Sequence, residues 1–170
     1  MKRFALAVLL SSVSTLSIAA DTTCQQGKYD AYIDASLAWY QDLVTLTTEQ
    51  NPQLAEVSQW FLEGRTNHFE LNREAVHYYL VNEPAKVNTN VSVESWLKLE
   101  QADIKQLTTR EDTLGKLAKV TFADRQALPH AQNYELRAAL ADLLSHPNKI
   151  DQALSRYNEK VSAVAKTQCD

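Results

Sequence analysis

The sequence predicts an all-α protein: an antiparallel up-and-down four-helix bundle, with a last helix broken near Pro147 and termini tied by a disulfide. Apolar residues recur about every 3.6 positions along nearly the whole chain, and no run alternates as a strand would. Prolines at 52, 84, 129 and 147 divide this pattern into segments. The two cysteines, Cys24 and Cys169, lie near the two ends, which an even number of antiparallel helices brings together.

The first twenty residues have the pattern of a secretory signal peptide. Lys2 and Arg3 provide the positive start, residues 4–10 the apolar stretch, and residues 17–20 a small-residue exit with cleavage expected after Ala20. Residues 21–170 then form a single helical domain, and none of their apolar runs reaches the roughly 18 residues that a membrane span needs. We therefore expect a periplasmic protein that does not insert into a membrane.

The charge of the exported chain limits its partners. Without Lys2 and Arg3 the 17 basic residues become 15, against 21 acidic ones, which gives a net charge of −6. Because there is no run of lysine and arginine, nucleic acid and anionic lipid are poor partners. A mildly acidic surface would suit a basic protein partner in the periplasm.

The helices are predicted in order from their apolar faces. The first covers residues 25–49, and the second covers 52–81, with Asn51 as its N-cap and Pro52 at its first position. After a loop over 82–91, the third runs from 92 to about 127, because its apolar stripe keeps its phase; a break at 108–111, where the spacing is that of a capping box, is the alternative. Residues 134–145 and 148–165 form the last helix, which Pro147 interrupts.

The second helix is the centre of the predicted fold, and its apolar arc is too wide for a helix that rests on one neighbour. Arg65, His68 and Asn72 interrupt the middle of that arc and are therefore predicted to point inward. If the second and third helices are antiparallel, Arg65 meets Glu111 and Asn72 meets Glu100. A buried arginine is costly unless it is paired, so we expect an Arg65–Glu111 ion pair. This interior polar cluster is interpreted either as a network that fixes helix register or as a pocket for a small ligand.

Cys24 and Cys169 are predicted to form a structural disulfide, since two cysteines in an oxidising compartment most simply pair. A redox pair or an intermolecular bridge is the alternative, but the chain has no Cys-x-x-Cys motif. The predicted loop encloses nearly the whole domain.

No cofactor, metal or catalytic residue is predicted. Glu74-x-x-His77 has the spacing of a di-iron motif, but it occurs once and is expected to face solvent. A haem attachment motif is absent, and Met1 is the only methionine. The sequence also lacks a Gly-x-Ser-x-Gly nucleophile motif and a glycine-rich phosphate loop. We therefore expect that the protein is not an enzyme.

Four aromatic residues lie at the edges of the predicted apolar faces and are candidate anchors of a protein interface: Trp39, Trp60, Tyr78 and Trp96. Aromatic residues in such positions are common anchors. The alternative is that they seal the bundle.

Residues 46–50, Leu-Thr-Thr-Glu-Gln, match a Leu-Thr-x-x-Gln motif, and residues 107–111, Leu-Thr-Thr-Arg-Glu, nearly match it. In these two stretches the chain resembles the Spy/CpxP family of periplasmic stress chaperones, which are similarly small, exported and helical. It departs from the basic, methionine-containing character of that family, because the mature chain is acidic and keeps no methionine. The resemblance implies a chaperone-like role.

Together these features predict a non-catalytic periplasmic module that binds another protein, for example an inhibitor or an immunity protein that neutralises a toxin. A stress chaperone or adaptor is the first alternative. The second is a small-ligand binder that uses the interior polar cluster.

Overall fold

The structure, a computed structural model, describes residues 15–169, with side chains from residue 21 onward. Within that range the chain is all-α, as predicted, and contains no strand. Single 3₁₀ turns occur at Pro52–Leu54, Pro84–Lys86 and Val93–Ser95. Six α-helices are formed over these residues: α1 Thr15–Gln50, α2 Ala55–Asn82, α3 Gln101–Leu107, α4 Thr113–Gln126, α5 Asn133–Ser145 and α6 Pro147–Lys166.

Most of the predicted signal peptide lies outside the described residues. Residues 1–14 are not among them, and residues 15–20 are the first residues of α1. None of the described helices combines the length and the apolar character that crossing a membrane requires.

The two longest helices, α1 and α2, pack against each other at the centre of the fold, and each has further neighbours. Asp30 contacts His77 and Tyr40 contacts Phe61, so α1 and α2 run in opposite directions. On the other side of α1 lies α6, where the Tyr157 ring packs against an α1 indole. On the other side of α2 lies α4, and α5 contacts α1, α2 and α6.

The main core lies between α1, α2, α3, α4 and the connection that follows α2. Ile33, Leu71 and Ile104 are fully buried there, one from each of three helices. A second cluster, around Leu43 and Leu143, joins α1 to α5 and α6. Burying a large aliphatic side chain contributes roughly 1.5–3 kcal/mol, so these clusters account for the relative placement of the helices.

The predicted disulfide is present and joins Cys24, on α1, to Cys169, which follows α6. The two Cα atoms are 5.6 Å apart, a normal separation for such a bond. Lys28 supports the junction, because its ammonium group donates a hydrogen bond to the carbonyl oxygen of Thr167 at 2.7 Å.

The predicted third helix is wrong at its start. Residues 92–100 are not α-helical, because Trp96 turns into the core instead. Its ring stacks on Tyr29 with 5.9 Å between centroids, and its indole N–H donates to the carbonyl oxygen of Val91 at 3.0 Å. The first true helical turn follows Glu100, which forms a capping box with Asp103. Burial of this one tryptophan thus prevents residues 92–100 from forming the α-helix that the apolar periodicity predicts.

The break near residues 108–111, given as the alternative, is present, although a different residue caps α4. The Asp112 side chain accepts a hydrogen bond from the backbone N–H of Gly115 at 3.0 Å. Arg110 pairs with Asp112, and the backbone carbonyl of Arg110 lies directly against the Cα of Gly115. A side chain at position 115 would collide with that carbonyl group, so the tight turn requires glycine here for space.

We predict that Gly115→Ala lowers the free energy of unfolding by about 1–3 kcal/mol, because the added methyl group forces the 108–112 turn away from α4. The matched control is Gly27→Ala in α1, where an added Cβ meets nothing within 4 Å. That variant should gain about 0.5–1 kcal/mol from helix propensity. Urea denaturation measures both, and effects of equal sign would contradict the packing described for Gly115.

We also predict that removal of the disulfide, by the double substitution Cys24→Ala and Cys169→Ala, lowers the free energy of unfolding by about 5 kcal/mol. The estimate follows from the entropy of closing a loop with a sequence separation of 145 residues. Thermal unfolding followed by circular dichroism tests it. Unchanged stability in the double variant would mean that the unfolded chain gains no freedom when the bond is lost.

Candidate functional site

A half-open groove of about 370 Å³ lies between α2 and the C-terminal half of α4. This volume is within the range of small-molecule sites, towards its lower end. The lining residues are Trp60, Phe61, Glu63, Gly64, Arg65 and His68 from α2, with Thr121, Asp124, Arg125 and Ala127 from α4 and the residue after it.

Helix periodicity explains why these residues line one groove. On α2, positions 60, 64 and 68 are four residues apart and therefore face the same side. Two contacts fix α4 beside them: the Thr121 hydroxyl donates to the Asn67 carbonyl oxygen at 3.1 Å, and the Asn67 amide donates to Asp124 at 2.8 Å. Gly64 leaves the middle of the wall open, since an added Cβ there meets nothing within 4 Å.

Arg65 is exposed and forms no ion pair with Glu111, so the prediction of a buried pair is wrong. Its guanidinium lies over the rings of Tyr40 and Phe61, at 5.7 and 5.3 Å from their centroids. The long side chain covers aromatic surface while its charge reaches water, as arginine commonly does. The aromatic contact thus takes the place of the expected carboxylate.

Glu100 and Glu111 lie outside the groove and outside the core. Glu111 has 89% of its side chain exposed and pairs with Lys119, and Glu100 is 65% exposed and pairs with Lys98. Both were predicted to be interior on the assumption of one continuous third helix. Because that helix starts after Glu100 and breaks before Asp112, the two glutamates belong to helix ends instead.

His68 and Asn72 remain together, and Arg125 joins them. Asn72 contacts His68 Nε2 at 3.1 Å, and Arg125 donates to His68 Nδ1 at 3.4 Å. A guanidinium can only donate, so Nδ1 of a neutral His68 ring accepts and Nε2 carries the proton. The amide atom of Asn72 placed nearest Nε2 is Nδ2, and the amide must turn over for its oxygen to accept that proton.

Burial of the ring, together with the positive charges of Arg125 and Arg65, lowers the pKa of His68 to about 4. The imidazole is therefore neutral at neutral pH. The groove thus presents two guanidinium groups beside an uncharged donor and acceptor.

The four candidate interface aromatics have different surroundings. Trp96 is 3% exposed, so its prediction as a surface anchor is wrong. Trp39 is half-buried against Tyr157, at 5.5 Å between ring centroids, and Tyr78 is half-buried beneath the Arg110 guanidinium at 4.1 Å. Trp60 is 39% exposed at the groove.

The sequence reasoning missed the apolar residues beside Trp60. His130 packs on the Trp60 ring at 5.7 Å, and Leu128 lies between His130 and the groove residue Ala127 along the chain. Leu128 is 89% exposed, and Tyr134, on the first turn of α5, is 80% exposed. The sequence signal for this exposure was the position of the leucine, just after a predicted helix and just before a proline. We call Trp60 and Leu128 the apolar rim.

Glu74-x-x-His77 is half-buried rather than solvent-facing, which corrects the predicted exposure. His77 contacts Asp30 at 2.8 Å, and Arg73 pairs with Asp30, Asp34 and Glu70. This polar seam joins α1 to α2. Over residues 15–169 no group of three or more histidine, cysteine, aspartate or glutamate side chains is arranged to hold a metal ion.

Compared with protein-family models, curated proteins and solved structures, the chain matches none of them. The Leu-Thr-x-x-Gln stretch forms the last turn of α1, where Thr47 is buried and the Thr48 hydroxyl donates to the carbonyl oxygen of Thr45 at 3.1 Å.

We predict that His68→Gln reduces the acid sensitivity of the fold. The unfolded histidine binds its proton near pH 6.5 and the folded one only near pH 4, so wild-type stability falls as pH drops through that window. Glutamine does not titrate. Relative to wild type, the variant should therefore gain roughly 1–2 kcal/mol between pH 7 and pH 4, a range that allows for the exposed part of the ring.

Urea denaturation at intervals across that range measures the difference. If the free energy of unfolding of His68→Gln changed with pH in the same way as that of wild type, His68 would titrate normally in the folded protein.

Proposed function

We propose that this protein is an exported, non-catalytic module that binds another protein through the apolar rim. The observation that carries the proposal is the exposure of Trp60, which lines the α2–α4 groove, and of Leu128, which directly follows the lining residue Ala127. Leu128 and Tyr134 are the most exposed large apolar side chains among the described residues. Clustered exposed aromatic and aliphatic residues are typical of protein interfaces, whereas single ones need no explanation.

Two further features support this role. The disulfide suits an oxidising compartment, which agrees with the proposed periplasmic location. Trp60 is held from one side by the His130 ring, so less side-chain freedom is lost when a partner covers it. An inhibitor or immunity-type protein that occludes one partner fits such a local, partly preorganised rim.

The acidic balance of the chain still favours a basic partner protein over nucleic acid. The contact itself would be apolar at its centre, with Trp60 as the main anchor. Trp39 and Tyr78, which already pack within the protein, are weaker candidates than the sequence alone suggested.

The test is site-specific photo-crosslinking in cells, with a photoreactive phenylalanine analogue at Leu128 or, as a matched control, at Val81. Val81 is also an exposed apolar residue, but it lies 21 positions along α2 from Trp60, about 30 Å away. We predict one stoichiometric crosslinked partner from position 128 and none from 81. Trp60→Ala should weaken binding of that purified partner about tenfold or more, as loss of a tryptophan anchor does.

Val81→Ser serves as the control for binding and should leave the affinity unchanged. Many substoichiometric clients crosslinked from position 128 would instead favour a chaperone. Equal crosslinking from both positions, or full affinity in Trp60→Ala, would overturn the apolar rim as the docking surface.

A further inference from the structure

The described arginines divide into three that form an ion pair and three that do not, namely Arg65, Arg125 and the exposed Arg137. Arg73, Arg110 and Arg156 each form an ion pair with a carboxylate. Among residues 21–169, neither Arg65 nor Arg125 does so, although the chain has more acidic than basic residues. Two guanidinium groups without carboxylate partners therefore line the same groove.

The two carboxylates that also line the groove balance the two arginines in formal charge, but neither forms an ion pair with Arg65 or Arg125. Asp124 is engaged by the Asn67 amide at 2.8 Å, and Glu63 forms no ion pair within the described part of the chain. The lowered pKa of His68, to which both arginines contribute, is an independent sign that their positive field reaches the groove. An incoming anion would meet this field without first having to displace an internal carboxylate.

Part of the groove wall is aromatic. Trp60 and Phe61 line it, with the Arg65 guanidinium over the Phe61 ring, and an added Cβ at Gly64 would meet nothing within 4 Å. A guanidinium group binds a carboxylate through two parallel hydrogen bonds. A ligand with an uncharged amide in place of the carboxylate cannot form the same pair of bonds.

We propose that the groove binds a small organic carboxylate, with Arg65 and Arg125 holding the carboxylate and Trp60 contacting a flat apolar body. The neutral His68 ring, whose two nitrogens already contact Asn72 and Arg125, adds no third charge beside the pair. A volume of about 370 Å³ accommodates such a molecule. This site is a property of α2 and α4 and does not depend on the docking of a protein at the apolar rim.

The test is a nuclear magnetic resonance titration of the full mature protein with phenylacetate, and with phenylacetamide as the uncharged probe of the same shape. The three tryptophans give built-in controls. The indole N–H signal of Trp60 should shift and saturate with phenylacetate, with a dissociation constant on the order of 1 mM for so small a ligand. The indole signals of Trp39, packed on Tyr157, and of the buried Trp96 should stay in place.

Variants assign the binding to the groove. Arg65→Gln and Arg125→Gln should each weaken phenylacetate binding about tenfold, since each removes a charge-assisted hydrogen-bonding group. Arg137→Gln, on α5 and away from the groove lining, is the matched control and should bind as wild type does. Gly64→Leu should block the groove, while unchanged Trp39 and Trp96 signals report an intact fold; Gly27→Leu on α1 controls for the added side chain.

Three results would overturn the proposal: no saturable shift of the Trp60 signal, equal binding of the amide, or full affinity in both arginine variants. These outcomes are independent of the crosslinking at Leu128. If a partner is crosslinked but phenylacetate does not bind, the carboxylate site is wrong and the docking surface stands. If phenylacetate binds but no partner is crosslinked, the docking surface is wrong and the carboxylate site stands.

Discussion

The packing of α1 against α2 is the contact on which the rest of the structure depends. Ile33 and Leu71 are fully buried along this seam, and Arg73 and His77 bridge its polar edge to Asp30. Because the two helices pack against each other, their outer faces point to opposite sides. One receives α6 and the disulfide, and the other receives α4. The groove forms on the face of α2 that does not pack against α1.

The groove shows how the same face of α2 serves both packing and surface chemistry. Thr121 and Asn67 bind α4 to α2 at one level, and one turn away Gly64 leaves a gap where a larger side chain would have closed it. Arg65 leaves the interior by lying over aromatic rings, and His68 stays neutral because it is partly buried beside two cations. The fold therefore leaves two guanidinium groups without carboxylate partners in one groove of an acidic protein.

The helical periodicity was sufficient to predict the all-α fold and the extents of α1, α5 and α6 to within a few residues, except at the start of α1. The disulfide was predicted separately, from the two cysteines of an exported chain. The periodicity failed as a predictor where the packing of one side chain determines the path of the backbone. The phase of the apolar stripe could not reveal that Trp96 would stack on Tyr29, and this error moved Glu100 and Glu111 into a core that they do not enter.

Within the candidate site, the sequence predicted that Arg65, His68 and Asn72 share one stripe of α2, and the structure keeps the last two in contact. It could not supply Arg125 or Leu128, because their positions depend on where α4 begins. That start is set by a steric detail at Gly115 and a cap at Asp112. Local spacing therefore described one wall of the groove, and tertiary packing supplied the other.

The bond between Cys24 and Cys169 makes the part of the chain between them a covalent ring. A single protease cut within this ring, for example in the exposed stretch around Leu128, cannot release a fragment. The two pieces stay tethered, and α5 can re-dock on its neighbours. The ring also closes late, since Cys169 follows all six helices along the chain. The helices must therefore pack and bring the two thiols together before the bond can form. The bond then stabilises a topology that helix packing has already produced.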